Sequence, residues 1–184
     1  ASNELEKNLT VGVNCPDVSV FLGTGPSGTA VTHAFNDWSL SRVTVTVARA
    51  ASVLSGTPAV YVRTLNLSSG GVGDTRLRAD DTEVRIGNAG IRSGAYAKTL
   101  ILDGDSHANT ITGEVANGLA ALSVQKEGGG TWTLAGANTY SGATTVNAGT
   151  LVIAGTAASS STVSLAGGRL VLTNTVAATD HTAA

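Results

Sequence analysis

Residues 127–151 read Glu127-Gly128-Gly129-Gly130-Thr131-Trp132-Thr133-Leu134-Ala135-Gly136-Ala137-Asn138-Thr139-Tyr140-Ser141-Gly142-Ala143-Thr144-Thr145-Val146-Asn147-Ala148-Gly149-Thr150-Leu151. Two elements of this stretch recur downstream in one frame. Residues 131–136 lie over 150–155 at an offset of 19, and a further 19 brings 169–174 into register. Residues 144–149 lie over 163–168 at the same offset. Two strand-turn elements sharing one period mark a repeat, and the repeat decides the fold.

Within each first element the residues alternate, so second and fourth positions share a face. These are Trp132 and Leu134, then Leu151 and Ile153, then Leu170 and Leu172. The other face carries Thr131 and Thr133, Thr150 and Val152, Arg169 and Val171. Each short strand ends at Gly136, Gly155 or Asn174, residue types that tolerate a left-handed turn. A coil of this length is too short for a βαβ unit of about 30 residues. It fits one coil of a parallel β-solenoid, in which successive rungs lie about 4.8 Å apart and like residues form ladders. The expected inner ladders are Trp132/Leu151/Leu170, Leu134/Ile153/Leu172 and Val146/Leu165.

Upstream the grammar continues with looser spacing. Strands are expected at 43–47, 59–67, 82–86, 99–102, 109–112 and 119–124, with glycine-rich or acidic turns at 68–73, 87–90, 103–105 and 128–130. Residues 1–40 differ, since they hold Phe21, Phe35, Trp38, Pro16 and Pro26. A solenoid end needs a cap, so 1–40 is read as a cap or assembly segment and 41–184 as the solenoid. If the whole chain were coils of the short length, there would be nine or ten of them, a rod on the order of 45 Å.

Composition narrows the function. The 184 residues include 23 Gly, only 4% aromatics and only 13% charged residues. Eleven Lys and Arg face 13 Asp and Glu, which argues against a nucleic-acid partner. A hydrophobic share of 42% and a mean hydropathy of +0.18 argue against disorder. The sequence has no run of about 20 apolar residues, so no transmembrane helix and no membrane insertion by this chain are expected. Cys15 is the single cysteine and reads as a small buried side chain. The polar start Ala1-Ser2-Asn3-Glu4, without an initiator Met, reads as a processed or trimmed product.

Residues 127–153 closely resemble the autotransporter-associated β-strand repeat, whose pattern is roughly G-x-G-T-L-T-L-x-G-x-N-T-Y-x-G-x-T-x-V-x-x-G-T-L. The chain departs from it at Trp132, where Leu is usual, and at Gly129, where Ala is commoner. Residues 84–91 and 111–115 look similar to the family as well. The resemblance implies a right-handed parallel β-helix, exported to the bacterial surface or beyond, in which the repeat aids passenger folding and display. The chain ends at 176–184 without the aromatic, alternating strands of a translocating barrel. It therefore reads as a passenger fragment or a free-standing secreted repeat protein.

Candidate chemistry is sparse, and no cofactor is expected. Gly104-Asp105-Ser106 after an apolar run is similar to an esterase nucleophile block. However, no helical pattern follows, and Asp180 and His181 are adjacent rather than spaced as that chemistry needs. Asp103 and Asp105 are the candidates for a cation, though two acids fall short of the six to eight oxygens Ca²⁺ takes; Asp80 and Asp81 form a second pair. His33, His107 and His181 stand apart, without metal spacing, and read as solvated turn residues. Arg76, Arg78, Arg85 and Arg92, interleaved with Asp74, Asp80, Asp81 and Glu83, read as a mixed-charge face. Trp38 is the candidate for stacking on a sugar ring. The expected function is a non-enzymatic, exported structural or display solenoid that self-associates through its ends or termini. The alternative is an adhesin that binds surface glycans or host cells. A polysaccharide lyase or hydrolase, the third class that uses such rods, needs clustered acids and bases absent from the outer faces of 120–175.

Overall fold

The structure is a computed structural model that describes residues 3–4, 8–11, 17–23, 28–67, 73–91, 95–156 and 162–173. The first half of the chain forms β1 (Asn3–Glu4), β2 (Leu9–Val11), β3 (Val18–Leu22), β4 (Thr32–Leu40), β5 (Thr44–Arg49), β6 (Ala59–Leu67), β7 (Thr75–Asp80) and β8 (Glu83–Gly90). The second half forms β9 (Lys98–Gly104), β10 (Asn109–Ile111), β11 (Val115–Ala116), β12 (Leu122–Lys126), β13 (Thr131–Leu134), β14 (Thr144–Val146), β15 (Thr150–Ile153), β16 (Val163–Leu165) and β17 (Arg169–Leu172). From β3 onward the chain passes alternately between a 7-stranded and a 10-stranded sheet. Every strand pair is parallel. The fold is all-β, a parallel β-solenoid.

The coil length changes along the rod. Leu151 pairs with Leu170, 19 residues on, and Trp132 with Leu151 at the same offset. Upstream, Asn109 pairs with Trp132, 23 residues on, Ala59 with Glu83, 24 on, and Thr44 with Arg76, 32 on. The larger sheet has eight levels, because β1 and β2 share one and β10 and β11 share another. At about 4.8 Å per level the rod is roughly 34 Å long. The nine or ten coils expected from the short period are too many, because the upstream loops are longer.

The core lies between the sheets and is built from rows of equivalent side chains. One row runs Phe35, Val62, Ile86, Ile111, Leu134, Ile153, Leu172. Across from it runs Val18, Val45, Leu77, Leu102, Lys126, Val146, Leu165. Trp132, Leu134, Val146, Leu151 and Ile153 are buried. At the end of the stack the expected core positions differ. Leu165 and Leu172 are 58% and 63% exposed, and Leu170 is half-buried. They hold their places in the rows, but no described rung lies beyond them.

Residues 1–40 contribute β1 to β4 to the two sheets, and the step from residue 40 to 41 falls at the corner between β4 and β5. Arg42 turns that corner at φ 54°. β7 has no counterpart among the expected strands. Its alternating Arg76, Arg78 and Asp80 face outward, while Thr75, Leu77 and Ala79 are buried.

Glycines mark a corner of the larger sheet in four consecutive rungs. A Cβ on Gly87 would meet Arg63 O at 2.3 Å, one on Gly113 would meet Gly87 O at 2.4 Å, one on Gly136 would meet Gly113 O at 2.0 Å, and one on Gly155 would meet Gly136 O at 1.7 Å. None of the four has a positive φ. Gly136 and Gly155 are therefore required by the close approach of the neighbouring rung rather than by a left-handed turn. The expected turn at 87–90 is instead the end of β8, with Gly87 inside the strand.

Candidate functional site

Several sequence candidates are withdrawn by burial. The Trp38 side chain is 0% exposed and packs edge-on against Phe35, with ring centroids 5.5 Å apart. It has no face for a sugar ring, because β4 turns it into the core above Leu9 and beside Leu65. Ser106 is buried, and its Oγ accepts the Thr82 N–H at 2.9 Å, which is a rung-to-rung cap. His33 lies on β4 rather than in a turn, with Nε2 enclosed and unpartnered. His107 is exposed in a bend. Cys15, Arg92, Asp180 and His181 lie outside the described residues.

The two candidate acids do different work. Asp105 is exposed and accepts the Asp81 N–H, one rung away, at 3.0 Å. Asp103 is buried, and its Oδ1 accepts the Gly104 N–H at 2.7 Å. Its Oδ2 lies 2.5 Å from Arg76 Nη1. The same Nη1 lies 2.6 Å from Glu127 Oε2, and Gln125 donates to the other oxygen of Glu127. Among the described residues no group of three or more His, Cys, Asp or Glu is placed to hold a metal ion.

This ionic layer crosses three consecutive rungs, β7, β9 and β12. Beneath it, Lys126 occupies the inner row between Leu102 and Val146 and is 0% exposed. Its ammonium donates to the carbonyls of Glu127 and of Gly128, the latter at 2.9 Å. The Trp132 indole N–H reaches Asp103 O at 3.1 Å from the next corner. The site was not visible as a unit in the sequence, since Arg76 and Glu127 are 51 residues apart. One signal pointed inward: Lys126 continues the alternation of Leu122 and Val124.

The titration of these groups follows from their surroundings. Burial pushes the Asp103 carboxyl up, but the Gly104 N–H and the Arg76 guanidinium outweigh it and hold it below the usual carboxylate range. The hydrogen bond from Arg76 holds Glu127 low as well. Burial lowers the Lys126 ammonium to about 8, with Asp103 and Glu127 offsetting part of the fall. Lys98 is also lowered, by burial and by Arg42. Lys126 keeps its proton to 10.5 in the unfolded chain, so between about 8 and 10.5 the unfolded state binds more protons. Stability should therefore rise with pH across that window. Urea titrations at pH 7.5 and 10 should show the rise in the parent and a smaller one in Lys126→Met; equal slopes would refute the assignment.

Two open clefts lie on the surface of the described residues. One, of about 290 Å³, lies among Arg42, Asp74 and Arg76. The other, of about 300 Å³, lies among Asn88, Glu114 and Asn117. In the second, Asn88 Oδ1 accepts the Glu114 N–H, and Asn117 Oδ1 accepts the N–H groups of Leu122 and Ser141. These side chains stitch turns of adjacent rungs together. The polar groups described here thus serve the stacking of the rod.

Comparison with known proteins bears on the segment that opened the sequence reading. No curated protein and no solved structure matches the chain. A family profile does match, the passenger-associated-transport-repeat, over residues 124–153. Those residues comprise most of β12, the glycine turn, β13, β14 and β15, that is, the upper part of the ionic layer and the first of the short coils. The chain is a parallel β-solenoid that carries this autotransporter-associated repeat at 124–153.

Proposed function

We propose that the chain is a non-enzymatic structural solenoid, exported for display at or beyond the bacterial surface, and that copies of it join head to tail into filaments. The passenger-associated repeat supports export and display. The observation that supports the joining is the last described rung. Val163, Leu165 and Leu172 are 47%, 58% and 63% exposed, on β16 and β17, which end their sheets. An unpaired parallel edge beside exposed apolar side chains is a template for another strand. At the opposite end β3 is the edge of the smaller sheet among the described residues, with Phe21 67% exposed.

A second copy stacked in register would carry the inner row from Leu165 on to Val18, which heads the same row. Such a contact uses two different surfaces, so it repeats without closing and produces an open filament. Residues 1–40 would then be the joining end rather than a detached cap. Light scattering and negative-stain microscopy should show fibres that lengthen with protein concentration. The double variant Leu165→Lys/Leu172→Lys should keep the β-sheet circular dichroism and lose the fibres. Monomers alone at high concentration of the parent would sink the proposal.

A further inference from the structure

We propose that the ionic layer of Arg76, Asp103 and Glu127, with Lys126 beneath it, is a register lock: it selects the pairing of β12 on β9 and β9 on β7 over pairings displaced by one rung.

A parallel solenoid made of near-equivalent coils has a specific hazard. Its ladders are main-chain hydrogen bonds, which any parallel strand satisfies. In the short coils its inner rows are filled largely by interchangeable aliphatic side chains. Leu134, Ile153 and Leu172 succeed one another in one row, and Val146 and Leu165 in another. A strand that skipped a rung would meet nearly the same surface. Register is weakly specified wherever that holds.

The ionic layer breaks the equivalence. Arg76 on β7 reaches one carboxylate at the level of β9 and another just beyond β12, with a single nitrogen bridging both. If β14 sat on β9 in place of β12, Asn147 would stand where Glu127 stands and Val146 where Lys126 stands. Arg76 would lose a carboxylate. Lys126, looped out, would give up its enclosed place between Leu102 and Val146. The displaced pairing thus loses a charge-assisted hydrogen bond, while Leu102 meets the aliphatic Val146 in place of Lys126. Partly buried charges of this kind contribute little net stability, because their desolvation offsets their attraction, and fixing registry is their best attested use.

That combination defines the test. The chain has one cysteine, Cys15, so Cys15→Ser gives a thiol-free background. Ile101 and Thr145 flank Gln125 in one outer row, two rungs and therefore about 9.6 Å apart. That exceeds the Cα separation of up to about 6.8 Å that a disulfide spans. A one-rung slip makes them neighbours. The reporter Ile101→Cys/Thr145→Cys would be refolded under thiol–disulfide exchange, with and without the near-isosteric triple change Arg76→Met/Asp103→Asn/Glu127→Gln.

Non-reducing electrophoresis and mass spectrometry of the monomer should find the 101–145 crosslink at least about tenfold more often in the triple variant, as expected when the charge-assisted hydrogen bond of Arg76 to Glu127 no longer discriminates. Its denaturant midpoint should stay near that of the parent. Equal crosslinking in both backgrounds, or a fall in stability without crosslinking, would overturn the lock. If the triple variant does not refold cooperatively, Glu127→Gln alone is read by the same criterion.

Discussion

Trp132→Ala should lower the unfolding free energy by roughly 3–5 kcal/mol, the usual range for truncating a buried aromatic. The indole is 0% exposed and lies in the inner row between Asn109 and Leu151. Alanine would leave a void between two rungs that are held at a fixed distance by their main-chain ladders and so cannot collapse onto it. It would also remove the donor to Asp103 O, 3.1 Å from the indole nitrogen, at a part of the chain where that aspartate anchors Arg76. Trp132→Leu should cost less, because leucine keeps an aliphatic side chain in the row; a smaller void remains, together with the lost hydrogen bond of about 1 kcal/mol. Urea unfolding read by far-UV circular dichroism gives both values from the midpoints, provided the m-value is unchanged. A shift below about 0.5 kcal/mol for Trp132→Ala, the level of an ordinary surface change, would mean that the row through Trp132 is not the core.

The pairing of β13 with β15 and of β15 with β17 was legible because three conditions coincide there. The offset is constant, the strands alternate strictly, and the intervening loops are short, so alignment of the sequence on itself is alignment of rungs in space. Upstream these conditions separate. β10 and β11 are split by the step at Thr112–Glu114, and coils lengthen to 32 residues between Thr44 and Arg76. Self-alignment then loses its frame, although β6 keeps the bounds that its own alternation sets. The ionic layer was illegible for the same reason. Arg76 and Glu127 meet only if the lengths of two unequal coils are known, and a list of arginines beside acids does not contain them. Burial of Trp38 is legible in its alternation with Leu40, both 0% exposed, although the residue lies outside the ladders that the repeat defines. Exposure of Leu165 and Leu172 is a property of position in the stack, which no local pattern records.

Gly136→Ala should cost about 3 kcal/mol, the upper end of the usual overpacking range, because the atoms it meets cannot move aside. A Cβ there lies 2.0 Å from Gly113 O and 2.4 Å from Gly113 C. Both atoms belong to the main chain of the rung below, whose residue Ile111 accepts the N–H of Ala135. Relief would require the two rungs to part, breaking ladder bonds on either side. The reason for this glycine can be separated from a conformational one by asparagine, which tolerates the left-handed region but carries a Cβ. Gly56 has φ 78°, and a Cβ there meets only the Ala30 side chain, at 3.1 Å, and Ala30 N, at 3.8 Å. Gly56→Asn should therefore be milder than Gly56→Ala. At Gly136, which has no positive φ, asparagine should be at least as damaging as alanine. Gly129 supplies the control in the same repeat, since nothing lies within 4 Å of its Cβ position, and Gly129→Ala should change stability by less than about 0.5 kcal/mol. Chemical denaturation of the five variants settles the order. Rescue of Gly136 by asparagine would place the glycine column among the turn glycines and remove close rung approach as its cause.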